Sequence, residues 1–172
     1  MSSYRLGSIT LAEIQPEDLE QLREWRNSPD IRAMMCDQSK ISVEQQRSWY
    51  ESLASSGATH FVARYKSVPI GYVNLKSISE PAVYEAGLYT GDARYRGTVV
   101  SFLMALAQID FAFEQLSAQK LVATVKSENI AAIRFNETLG YQKQREAEGM
   151  WHMTLSADAY QVARAKLAGF IR

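Results

Sequence analysis

Two stretches of this 172-residue sequence carry residue types and spacings that could do chemistry. The first, GLYTGDARYRGTVVSFLM, reads as a strand that runs through a loop with Arg94, Arg96 and Gly97 into an apolar helix. A helix start offers unpaired backbone N–H groups and partial positive charge, which suits a phosphate or pyrophosphate. Gly97 lets the backbone approach an anion closely, and the two arginines add charge. Taken alone, the pattern also fits an ordinary capped helix with solvated arginines. The second stretch, VKSENIAAIRFNETLGYQ, covers residues 125–142. A strand ends, Asn129 opens a helix, and Ala131 and Ala132 leave room for an extended ligand beside the first turn. Gly140 then closes the helix. Alone, this equally describes a capped helix–strand unit.

Single residues add less. Glu85 is an exposed or paired strand carboxylate, or a base near a reacting carbonyl. His60 and His152 lack metal-ligand spacing and read as structural, so no metal is expected. Cys36, the one cysteine, has no His or basic neighbour in sequence to activate it, and it excludes an internal disulfide. Trp25 reads as core. Met34 and Met35 read as packing that could also line a pocket.

These groups need elements to hold them. Residues 4–14 alternate weakly as one strand, and Pro16 starts a helix carrying Leu19, Leu22 and Trp25. Asn27, Ser28 and Pro29 end it, and DIRAMMCDQSK reads as short and irregular. Ser42 caps a second helix with Val43, Trp49, Tyr50 and Leu53. HFVARYKS, IGYVNLKSI and AVYEAGLYTG follow as an antiparallel meander. A buried helix from about Gly97 to Gln115, a central strand KLVATVKS, a helix from Asn129 to Leu139, two strands and a last helix complete the chain. The order βααβββαβαββα predicts an α+β fold with a mixed central sheet and helices on both faces, in a single domain over residues 1–172.

Composition sets the limits. The chain is 47% apolar and 22% charged, ordinary for a globular protein. Nineteen Lys+Arg balance nineteen Asp+Glu, which argues against broad capture of nucleic acid. No run reaches the ~18 apolar residues of a membrane span. The opening MSSYRLGSIT lacks a secretory pattern, so a soluble, cytoplasmic protein is expected. A homo-oligomer stays open.

The two stretches together, in this order, resemble the GCN5-related N-acetyltransferases, which move acetyl from acetyl-coenzyme A to an amine. The resemblance covers nearly the whole chain. Arg94-Tyr95-Arg96-Gly97-Thr98-Val99 is similar to the family's Gln/Arg-x-x-Gly-x-Gly/Ala, with Val99 bulky where a small residue is usual. It implies acetyl-coenzyme A as co-substrate. Leu88 and Tyr89 would lie on the splayed strand that pairs with the pantetheine arm, Asn129 would contact that arm, and Phe135 would lie beside it. The family's thiolate-protonating Tyr falls at Asn136, which can donate a hydrogen bond but releases no proton at neutral pH.

Trp25-Arg26-Asn27-Ser28-Pro29-Asp30-Ile31, then Met34-Met35, and Glu85-Ala86-Gly87-Leu88-Tyr89 resemble the amino-sugar N-acetyltransferases of pseudaminic acid biosynthesis. That implies a UDP-linked 4-amino-4,6-dideoxy sugar as the small-molecule amine, with Arg26, Asn27 and Met34 near it. The Trp-Arg-Asn string also occurs in ribosomal-protein and polyamine acetyltransferases, and a silent acyl-coenzyme A-binding module is a further alternative. Arg23, Arg26, Arg32 and Arg47 favour an anionic acceptor. The chemistry expected is direct attack, with Glu85 taking the amine proton and no acetyl-enzyme.

Overall fold

In the computed structural model, which describes residues 3–172, the N-terminal apolar run is not one strand but a hairpin. Gly7 takes φ +57°, a left-handed conformation cheap only for glycine, and turns β1 (Ser3–Leu6) into β2 (Ile9–Glu13). A side chain there would also strike the Arg172 carbonyl, which accepts from the Ser8 N–H. The first residues of the opening segment, 1–2, lie outside the described residues.

Pro16 opens a 3-10 turn that leads into α1 (Leu19–Asn27). The segment expected to be irregular starts as a short helix, α2 (Pro29–Met34). Pro29 fits its first turn, where no N–H is needed, and Ile31 is its one buried anchor. A single buried residue leaves no periodicity for sequence reading to detect. Ser42 caps α3 (Val43–Ser52) in a reciprocal box with Gln45.

The meander forms as expected, with β3 (Ala58–Tyr65), β4 (Val68–Ser77) and β5 (Val83–Thr90) antiparallel. Then come α4 (Val99–Gln115), β6 (Lys120–Lys126), α5 (Ile130–Thr138), β7 (Gln142–Ala147), β8 (Met150–Ser156) and α6 (Ala157–Leu167). The eight strands lie in the order β1-β2-β3-β4-β5-β6-β8-β7. Among the described residues only the β5–β6 pair is parallel, so the sheet is mixed.

Strand alternation sends neighbours to opposite faces. Phe61 meets Phe111 of α4 edge-on, ring centroids 5.0 Å apart. Its neighbour Val62 joins Ile14, Leu22, Trp25 and Trp49 beneath α1 and α3. Helices therefore cover both faces. Within the buried α4, Asp110 is held by Arg164 at 2.8 Å and by the Tyr160 hydroxyl, which fastens α6 to α4.

One feature of the sheet matters most for chemistry. β5 and β6 pair only at Val83 with Lys120, Tyr84 with Leu121 and Glu85 with Val122. Beyond that, residues 86–90 and 123–126 diverge. The unpaired edges form a wedge.

Candidate active site

The wedge opens into a cleft of about 610 Å³. Its walls include Gly87, Leu88 and Tyr89 of β5, Thr124 and Val125 of β6, and Ala132, Phe135 and Asn136 of α5. Arg26, Met34 and the loop through Ile41 close the opposite side. Gln108 of α4 is 2% exposed and donates to the carbonyls of both Asn74 and Gly87, tying β4 to β5 at the cleft floor. A Cβ on Gly87 would lie 2.5 Å from the Asn74 side-chain oxygen, so a larger residue there would displace the Asn74 amide.

Three of the N-terminal arginines hold the loop that borders the cleft. Arg23 donates to the Ile41 carbonyl and pairs with Glu20, while Arg32 donates to the Gln38 carbonyl. They hold the loop of residues 35–42 in place. Arg26 shares that task, donating from Nη2 to the Asp37 carbonyl at 2.8 Å. Its Nη1 is buried and has no hydrogen-bond partner. A desolvated guanidinium nitrogen without an acceptor is costly, and an anion in the cleft would satisfy it. Asn27 is not in the cleft wall. Its amide donates to the Ile41 carbonyl at 2.9 Å and accepts from the Ile41 N–H at 2.7 Å, so it positions the loop. Met34 does line the cleft, and Met35 with it.

At the start of α4, Gly97 takes φ +69° with open space around it. Thr98 precedes the first helical residue, but its hydroxyl donates to the Tyr95 carbonyl rather than capping. The N–H groups of Gly97, Val99 and Val100 have no protein partner among the described residues. The arginines are not free here. Arg94 pairs with Asp92 at 2.7 Å and holds that carboxyl below its usual range. Arg96 donates to the carbonyls of Thr90 and Gly91 and pairs with Asp30. Arg96 thus shapes the loop, and the backbone N–H groups are what it leaves open. The loop forms an exposed rim rather than the cleft wall. Trp25 packs where a Gly91 side chain would otherwise be, in keeping with a core role.

Along α5, Asn129 caps the helix by accepting from the Ala132 N–H at 3.1 Å, and it lines the cleft. Phe135 stacks on Phe102 of α4 with centroids 4.4 Å apart. Asn136 lines the cleft and directs its amide toward the Met153 sulfur at 3.8 Å. Tyr141, just past Gly140, also lines it, and its hydroxyl has no partner among the described residues. Burial raises its pKa, so the phenol stays protonated. Glu85 lies elsewhere: it is exposed, at the last paired β5–β6 position, outside the cleft wall. A residue at the closed end of the wedge does not reach its open end.

Sequence reading missed an aromatic group on the α1–α3 side. His60 Nδ1 lies 2.6 Å from the Tyr72 hydroxyl, and the Tyr72 ring sits 5.3 Å from that of Tyr89. Trp49 of α3 packs near both His60 and Tyr72. Tyr72, Tyr89 and Trp49 line the cleft. His60 and Tyr72 are 12 positions apart on different strands, and only the meander's register brings them together.

A family model described as an acetyltransferase (GNAT) domain matches residues 8–142, most of the chain. The chain belongs to the GNAT acetyltransferase family. Among solved structures, an aminoglycoside acetyltransferase AAC(6')-Ib in complex with coenzyme A superposes with TM-score 0.80 at 21% identity, covering 91% of this chain and 99% of that one. A spermidine N-acetyltransferase from Vibrio cholerae, in complex with CoA and spermine, gives TM-score 0.80 at 18% identity, covering 90% and 98%. An uncharacterized protein from Bacillus halodurans gives 0.83 at 16%, covering 92% and 89%. At these identities the likeness establishes the GNAT fold. No curated protein sequence matches the chain. No helix among the described residues is long and apolar enough to cross a membrane, and none of their His, Cys, Asp or Glu side chains group in threes as a metal site.

Proposed function

We propose that this chain transfers acetyl from acetyl-coenzyme A to the primary amine of an anionic small molecule, a nucleotide-linked amino sugar. The specific acceptor proposed is the 4-amino group of a UDP-linked 4-amino-4,6-dideoxy sugar. The supporting observation is the charge of the cleft. Its described lining carries Arg26, Lys40 and Lys126 against a single carboxylate, Asp37, and Arg26 Nη1 is buried without an acceptor. A polyamine or a cationic aminoglycoside would meet like charge there. A diphosphate would find partners.

The chain's own groups fit the co-substrate. The N–H groups of Gly97, Val99 and Val100 would hold a pyrophosphate, and the unpaired edge of β5 at Leu88 and Tyr89 would hold an extended amide arm. Asn129, Ala132 and Phe135 border that arm's path. Acetyl-coenzyme A supplies the thioester, and a backbone N–H near Leu88 or Tyr89 would stabilise the carbonyl oxygen during attack. Asn136 and the Tyr141 phenol would donate hydrogen bonds to the leaving sulfur. No Cys lines the cleft, and its serine, Ser39, donates to an Asp37 carboxylate of lowered proton affinity, a poor base for activating it, which fits direct transfer.

An acceptor panel tests this reading. Wild-type kcat/KM is measured with a UDP-linked amino sugar, spermidine, kanamycin and a peptide N-terminus, following thiol release. The UDP-linked sugar is expected to exceed the others by about 100-fold or more, a difference of ~2.7 kcal/mol. Faster acetylation of spermidine or of the peptide would overturn it.

A further inference from the structure

We propose that Tyr72 and His60 form a proton relay that takes the proton of the acceptor's ammonium group. The inference rests on the acetyl-transfer reading and concerns which groups make the amine nucleophilic. An alkyl ammonium has a pKa of ~10, so near neutral pH it must lose a proton before its nitrogen can attack. Among the charged cleft residues only Asp37 is a carboxylate. Its oxygen accepts from both the backbone and the hydroxyl of Ser39, which lowers its proton affinity. Glu85 is outside the cleft. The cleft therefore lacks a conventional carboxylate base.

The Tyr72 hydroxyl fills that place. Tyr72 lines the cleft beside Tyr89, on the side closed by α1 and α3. Its hydroxyl sits 2.6 Å from His60 Nδ1, within range for donating to a neutral imidazole. The Asn74 side chain also hydrogen-bonds this hydroxyl, which leaves one oxygen lone pair for the acceptor's ammonium. Burial keeps His60 below the ordinary histidine range, so the ring is neutral at neutral pH and can accept. Burial also raises the Tyr72 pKa, so a free tyrosinate is disfavoured and the phenol works only as a conduit. Around the pair stand Trp49 from α3, Asn74 from β4, Tyr89 from β5 and Arg26 from α1. Of these, Tyr89 stays protonated through burial and Arg26 is cationic beside it. His60 is only half-buried, which lets it return the proton to solvent.

The ammonium N–H proton passes to Tyr72 Oη as the Tyr72 proton passes to His60 Nδ1, giving a neutral amine and an imidazolium that later loses its proton to water. The amine nitrogen then forms the N–C bond, the C–S bond breaks, and its electron pair leaves on sulfur. The second nitrogen proton ends on the thiol.

Two readouts test the relay. The first does not depend on turnover. ¹⁵N NMR of the His60 ring should show the Nε2–H tautomer at neutral pH, with an Nδ1 shift that moves in Tyr72→Phe. An Nδ1–H tautomer, donating to Tyr72, would overturn the proposal. The second is kinetic. His60→Gln and Tyr72→Phe should each lower kcat by about 100-fold or more near neutral pH, with coenzyme A affinity unchanged. The loss should shrink as pH rises toward the acceptor's own pKa, where the amine is already neutral. A constant loss across pH, or kcat within threefold of wild type in both variants, would overturn it. A wild-type enzyme inactive on every amine would count against the acetyl-transfer reading, and the NMR result would still decide the relay.

Discussion

Gly97 shows what single residues disclose and conceal. The glycine, its helix and the small Ala132 beside the wedge were all legible, because each follows from local rules about helix starts and packing. The use of the arginines was not. Arg94 and Arg96 spend their charge on Asp92, Asp30 and the loop's own carbonyls, partners set by the folded loop. Under the proposed function, phosphate binding at this point would therefore fall to backbone N–H groups. Gly97→Pro removes one of them and forbids φ +69°. Coenzyme A affinity, measured by calorimetry, should fall about 10- to 100-fold, the worth of one or two charge-assisted hydrogen bonds. Undiminished affinity would place the phosphates elsewhere.

Elements carry the next lesson. The meander, the buried α4 and the capped α5 follow from alternation, an apolar circumference and an Asn–Gly frame, and all three were read from sequence. The N-terminal hairpin and α2 were not. The hairpin turns at a single glycine braced by residue 172, and α2 is anchored by one buried side chain. Asn27 is the clearest case, since an amide bonded to both backbone groups of Ile41 cannot be told in sequence from one that meets a ligand. Asn27→Ala should free the loop of residues 35–42 that carries Asp37 and Lys40. The acceptor KM is expected to rise about 5- to 30-fold, from ~1–2 kcal/mol of lost bonding, with coenzyme A affinity unchanged. Equal weakening of both ligands would mean a general loss of fold.

At the scale of the whole molecule, a net charge of zero hides a local separation. The described cleft lining holds Arg26, Lys40 and Lys126 against one carboxylate, Asp37. Lys126 reaches across from β6 to the Ala33 carbonyl of α2 at 3.0 Å, a contact spanning 93 positions. That convergence depends on topology, so composition could not show it. The central claim is that this charge selects the acceptor. Its most direct measurement is a ratio: kcat/KM for a UDP-linked amino sugar over the same sugar without its nucleotide, in wild type and in Arg26→Gln. The wild-type ratio should be about 100 or more. It should fall at least tenfold in the variant as the guanidinium and its buried Nη1 are removed, equivalent to ~1.4 kcal/mol. A wild-type ratio near one, or a ratio that Arg26→Gln leaves unchanged, would contradict it.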